Sequence, residues 1–119
     1  MKVAVSSLGP TLEDKVDERF GRAMHFIVVD TVSGAFEAIV NDLNRNALQG
    51  AGIASAELVA DRGAEAVITG HLGPKAFSAL EAAGIRGYDG TGMTVAAALA
   101  AFAEGTLRSL DEAGEAHAG

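Results

Sequence analysis

Apolar and polar positions alternate in short runs over the first forty residues, then switch to helical spacing. Lys2 to Ser6 reads as a short strand, with Val3 and Val5 on one face and Ala4 on the other. Met24 to Asp30 is the clearest strand: Met24, Phe26 and Val28 share one face, and His25, Ile27 and Val29 the other. Thr31 to Gly34 supplies a turn and Ala35 to Val40 returns as a strand, which makes a β-hairpin. In the returning strand Phe36, Ala38 and Val40 alternate with Glu37 and Ile39, a pattern that predicts half-burial near a sheet edge. Ser7 to Arg22 is a long charged connection opened by Gly9-Pro10. Loops of this length in small domains are uncommon unless they are functional or disordered. Phe20-Gly21 suggests an apolar anchor and a bend near its end; a solvated surface loop is the plainer alternative.

Asn41 to Gln49 is polar and rich in asparagine. Gly50-Ala51-Gly52 then leads into a helix over Ile53 to Arg62, whose stripe is Ile53, Ala56, Val59 and Ala60 with Leu58 alongside, and Gly63 stops it. Ala64 to Thr69 is apolar on both faces, as a covered parallel strand requires. Gly70-His71-Leu72-Gly73-Pro74 follows at once. Gly73 suits an N-cap, and Pro74 suits the first helical position, where its missing N–H costs nothing. The next helix carries Ala76, Phe77, Leu80 and Ala83 and ends at Gly84. Ile85 to Asp89 is a last short strand and Gly90-Thr91-Gly92 a flexible turn. Thr94 caps a final helix with Val95, Leu99 and Phe102 on its face, and Gly105 stops it. The reading is one α/β domain over 1–105: a five-stranded mixed sheet with helices on its faces and right-handed crossovers. A flexible acidic tail over 106–119 follows, in which His117 is incidental.

Composition narrows the chemistry. The 119 residues suit one domain, and 49% are hydrophobic, enough for a single core. Aromatics are only 5%, so alanine-rich helix–sheet packing has to do the filling. The net charge of −7 argues against nucleic acid, whose phosphates need a basic patch. Without cysteine there is no disulfide framework and no thiolate site. Any metal must therefore be held by histidine, carboxylate or backbone, or arrive with its own ligands. No apolar run reaches membrane-spanning length, and the start is too short and polar for a signal segment, so a cytoplasmic location is expected.

Of the reaction classes, nucleophilic catalysis has no Gly-x-Ser-x-Gly elbow behind it. A two-metal nuclease needs a carboxylate on the first strand, which has none. Gly50-Ala51-Gly52 offers free amides to an anion, but no strand leads into it and no Lys-Ser/Thr follows. What remains is metallocluster binding through histidine. His25 opens the second strand and His71 ends the fourth; if those ends share one edge, the two imidazoles could converge under the long loop. Each histidine also suits a hydrogen-bonded edge position. Arg19 and Arg22 would offset the charge of an anionic cluster. Gly70 and Gly73 would open their amides beside it, at the carboxyl end of a central strand where α/β sheets bind ligands.

Four segments carry a resemblance: Met1-Lys-Val-Ala-Val5; Val16-Asp-Glu-Arg-Phe-Gly-Arg-Ala23 with His25-Phe26; Gly50-Ala-Gly-Ile53; and Gly70-His-Leu-Gly-Pro74 with the late Gly90-Thr91-Gly92 turn. Together they resemble the dinitrogenase iron–molybdenum cofactor biosynthesis family, with its NifX- and NafY-like proteins and the C-terminal domain of NifB-type proteins. The resemblance implies a ribonuclease-H-like α/β topology without nuclease activity. It also implies carriage of iron–sulfur or iron–molybdenum clusters or their precursors, with the loop Asp17 to Ala23 flanking the pocket and His25 and His71 as ligands. Nitrogenase-associated members often carry His before Phe-Gly, where this chain has Arg19. The expected function is therefore non-catalytic binding or carriage of a metallocluster, in cofactor biosynthesis related to nitrogen fixation. The expected partner is a cluster donor or acceptor protein, neither membrane nor nucleic acid, and the expected state a monomer or weak homo-oligomer. A module for a small anionic metabolite, or an adaptor docking through the charged loop, is the alternative.

Overall fold

The computed structural model describes residues 1–111; residues 112–119, His117 among them, lie outside the described residues. Ten elements follow one another: β1 (Lys2–Ser7), β2 (His25–Asp30), β3 (Phe36–Val40), α1 (Asp42–Arg45), α2 (Ala51–Asp61), β4 (Ala64–Thr69), α3 (Pro74–Ala82), β5 (Arg86–Asp89), α4 (Val95–Glu104) and β6 (Ser109–Leu110). The strands form one mixed sheet in the order β3-β2-β1-β4-β5-β6. β1, β4 and β5 run parallel, and β2, β3 and β6 pair antiparallel to their neighbours.

The sheet thus has six strands where the hydrophobic pattern gives five. The sixth comes from Ser109–Leu110, inside the stretch read as tail. Two residues are too few to show a period of two, and what fixes them is pairing with Gly87 and Tyr88. The Arg108 guanidinium reaches Asp89 at 2.8 Å, next to this junction. Burial pushes the Asp89 carboxyl up, but bonds from the Thr91 hydroxyl and amide and from Arg108 outweigh it, so its pKa lies below the ordinary 3.8. A depressed carboxylate stabilises the fold above its unfolded value and loses that contribution as pH falls through the folded value. Acidification below about pH 4 is therefore expected to free the Leu110 amide, paired with Gly87, before those of β4, and Asp89→Asn to remove this pH dependence. Amide hydrogen exchange between pH 2 and pH 6, roughly, checks both.

Two apolar layers flank the sheet. Ala4, Phe26, Val28 and Val67 pack under Val59 of α2 and Leu80 of α3. Val3, Val5, Ile27, Val29 and Ile68 pack under Val95 and Ala98 of α4. Two further corrections follow from this layering. Helix α2 starts at Ala51 after the left-handed Gly50 (φ 80°), and it buries Ala51, Ser55, Ala56 and Val59. Ile53 lies about 200° around the helix from Ala51 and is 40% exposed rather than in the stripe. Strand β3 is outermost, as its alternation predicts, but Phe36 and Val40 are 47% and 60% exposed. Six strands span roughly 24 Å while a single helix covers about 10 Å, so α4 does not reach that margin. The polar stretch after β3 also hides a short helix, α1, and a fully buried Asn41.

Candidate functional site

The carboxyl ends of the parallel strands meet the first residue of β2 along one edge of the sheet. Register shows this directly: Ser7, the last residue of β1, pairs with His25, and β4 ends at Thr69, two residues before His71. Both histidines are half-buried at this edge. His25 points to the α4 side with Ile27 and Val29, since side chains alternate along a strand. There it faces the first half of the long loop. The Thr11 hydroxyl and amide hold the Asp14 carboxyl below its ordinary value, and the nearby His25 adds to the effect. The Nδ1 atom of His25 is buried and has no hydrogen-bond partner. Buried polar atoms are nearly always paired, so this one is an exception that calls for a partner.

The second half of the loop is a strap folded onto the same edge. The Asp17 amide donates to the Ser6 carbonyl at 2.8 Å. The Ser6 hydroxyl donates back to the Asp17 carbonyl at 2.6 Å and lies 2.7 Å from the Thr69 hydroxyl. The Asp17 side chain is 2% exposed. It accepts the Arg19 amide at 3.1 Å, the Met24 amide at 3.1 Å and the Arg19 Nε at 3.3 Å. One carboxylate thus ties both ends of the turn that carries Phe20. Glu18 lies across Gly70, where a Cβ would come within 2.8 Å of the Glu18 Cα, and Arg19 then bridges to His71 in parallel. Only glycine admits this crossing.

Downstream, Gly21 packs on Gly52 and Gly52 on Ala76, so the amide ends of α2 and α3 come together. Gly73 caps α3 with Pro74 in its first turn, as the sequence predicts. The structure therefore brings Arg19 beside His71 and Gly70 against Glu18, with Gly73 two residues beyond His71 at the start of α3. Arg22 is directed elsewhere: its guanidinium donates to the carbonyls of Arg45 and Ala47 at 2.7 and 2.6 Å, closing the end of α1. The buried tie points Ser6, Asp17, Thr69, Asn41 and Ser55 are not signalled by the sequence pattern. Ser55 donates to the Gly21 carbonyl and Asn41 to the Ala23 carbonyl, so both pin the strap from below. For Ser6, Ser55 and Thr69 a small polar residue in an apolar run is the only hint.

The donor set decides what fits. Among the described residues no group of three or more His, Asp or Glu side chains gathers as a bare metal ion requires. A cluster that brings its own sulfide ligands needs only one or two protein donors. Two cavities of the described residues are lined by neither histidine. One, about 280 Å³, lies between α3, β5 and β6; the other is an open groove between α2 and α3. No helix of the described residues is long and apolar enough to cross a membrane.

Comparison with known proteins places this architecture. The chain is similar to the apo form of the orange protein from Desulfovibrio gigas, with a TM-score of 0.92 and 40% identity over 96% of each chain. It is similar to a candidate NifB protein of the DUF35 family from Thermotoga, with a TM-score of 0.85 and 36% identity over 97% of each chain. An uncharacterized protein of Methanocaldococcus jannaschii is 30% identical over 113 residues, covering 93% of this chain and 92% of that one. The family model described as dinitrogenase iron-molybdenum cofactor matches residues 1–105, and the chain belongs to that family.

Proposed function

We propose that this protein is a non-catalytic carrier that holds an iron–sulfur or iron–molybdenum type cluster as cargo, between a donor and an acceptor protein in the cytoplasm. The observation that carries the reading is the unpartnered Nδ1 of His25, buried at the sheet edge that His71 also occupies. A neutral imidazole nitrogen with no internal partner is a candidate metal ligand. In this reading His25 and His71 are the protein ligands, and the amides around Gly70 and Gly73 face the anionic cargo. Arg19, 60% exposed beside Asp17, adds positive charge at the rim, and Arg22 acts from further away. Two donors make a site of low denticity, which suits release to an acceptor better than storage.

Anaerobic reconstitution with iron, molybdate and sulfide, followed by metal analysis, tests this. Losing even an outer-shell partner of a metal-bound histidine costs about 10–100-fold in affinity, so His25→Ala and His71→Ala should each retain at most about a tenth of the wild-type metal. Equal, negligible metal in all three proteins overturns the reading.

The packing of Gly21, Gly52 and Ala76, which brings two helix N-termini together, favours a second reading as a module for a small anionic metabolite. A rise in melting temperature with phosphate or nucleotides, but not with clusters, would select it over the carrier.

A further inference from the structure

We infer that β3 is a self-association edge, through which two copies of this chain join their sheets into one. The inference stands on the backbone of β3 and does not depend on the cluster reading.

The hydrogen-bond pattern defines the edge. The Asp30 amide donates to the Ala35 carbonyl at 2.9 Å, and the Asn41 amide to the Met24 carbonyl at 3.0 Å. In the register Phe36↔Val29, Ala38↔Ile27 and Val40↔His25, these bonds fix the alternation. Glu37 and Ile39 turn their amides and carbonyls to β2; Phe36, Ala38 and Val40 turn theirs outward. Among the described residues no hydrogen bond reaches those outward groups. The side chains of the same three residues stand on the α4 side of the sheet, where Phe36 and Val40 lie bare beyond the reach of α4. Edges of this kind are ordinarily blunted by charges, a proline or a bulge; β3 has no proline or bulge, and its one charge, Glu37, is paired with Arg62.

The strand complements a copy of itself. A two-fold axis through Ala38 sets Phe36 opposite Val40 of the second copy, and Ala38 opposite Ala38. All three positions are of the hydrogen-bonded kind, so about six main-chain bonds form. Both aromatic-to-β-branched pairs fall on the one bare face, the kind of cross-strand pair that stabilises sheets. On the other face Glu37 meets Ile39 of the second copy rather than a second glutamate. Glu37 is also neutralised by Arg62 at 2.7 Å, so the chain's net charge of −7 is not concentrated at this seam. A five-residue seam buries less than the roughly 1,200 Å² of a stable interface, which makes the dimer a weak one in rapid exchange.

Sedimentation equilibrium of the full chain tests this. The average mass of the wild type should rise from the 12.1 kDa of one chain toward twice that value as concentration approaches about 1 mM. Ala38→Pro removes an outward N–H that the β2 ladder does not use, and should stay at the monomer mass. Ala38→Lys sets like charges opposite each other and should also stay monomeric, while an equal mixture of Ala38→Lys and Ala38→Glu should associate again. The charge pair covers the case in which the proline variant does not fold. A wild type that stays monomeric at about 1 mM overturns the inference. So does association that the Ala38 substitutions leave unchanged.

Discussion

Phe20→Ala is expected to lower the unfolding free energy by about 3–5 kcal/mol, although the residue sits in a loop. Its side chain is 2% exposed and joins the core layer under α2 and α3. Its ring meets Phe26 of β2 edge-to-face, with centroids 5.2 Å apart. Deleting it removes the transfer energy of a whole aromatic ring and leaves a cavity between loop and sheet. It also removes an aromatic pairing of about 0.5–1.5 kcal/mol. Small domains have about 5–15 kcal/mol in total, so this one change consumes a large part of the margin. Urea unfolding should show a lower midpoint at an unchanged slope. Leu8, at the start of the same loop and 45% exposed, is the control: Leu8→Ala should stay within about 0.5 kcal/mol. If both substitutions cost the same, the loop is not anchored by its aromatic residue.

How much of this was legible in the sequence depends on the range of each cause. The β2–β3 hairpin, the turn from β4 through His71 into α3, and the Thr94 cap rest on neighbours within a few residues, and each is found as read. Phe20-Gly21 was readable as an anchor because an aromatic in a charged stretch has few other uses. The location of His25 and His71 on one edge follows once β1 is paired antiparallel to β2 and parallel to β4. What was not legible is set by distant contacts. β6 exists only because Gly87 and Tyr88 lie beside it. The bare face of β3 depends on how far α4 extends, and alternation cannot report that. Asp17 is one acidic residue among several in its loop, and nothing local marks it as the one that is buried.

Asp17→Ala carries the other large expected effect, about 2–4 kcal/mol of lost stability. The cost comes from what the substitution leaves behind. The Arg19 and Met24 amides, both part-buried and 3.1 Å from the carboxylate, lose their acceptor. A buried donor without a partner costs about 1–3 kcal/mol, and the bonds removed are of the stronger, charge-assisted kind. The guanidinium of Arg19 matters much less. It is 60% exposed, and its ion pair with Asp17 at 3.3 Å is a surface contact on that side, worth less than about 1 kcal/mol. Arg19→Ala keeps the backbone amide and should therefore cost under about 1 kcal/mol, several-fold less than Asp17→Ala. Asp17→Asn keeps one good acceptor and should fall between them. Hydrogen exchange should locate the damage: the Arg19 and Met24 amides open first in Asp17→Ala, while the β4 amides stay protected until global unfolding. If Arg19→Ala proves as costly as Asp17→Ala, the strap is held by its ion pair and not by the two amides. The loop beside His71 would then loosen with added salt, which the amide-held strap should not do.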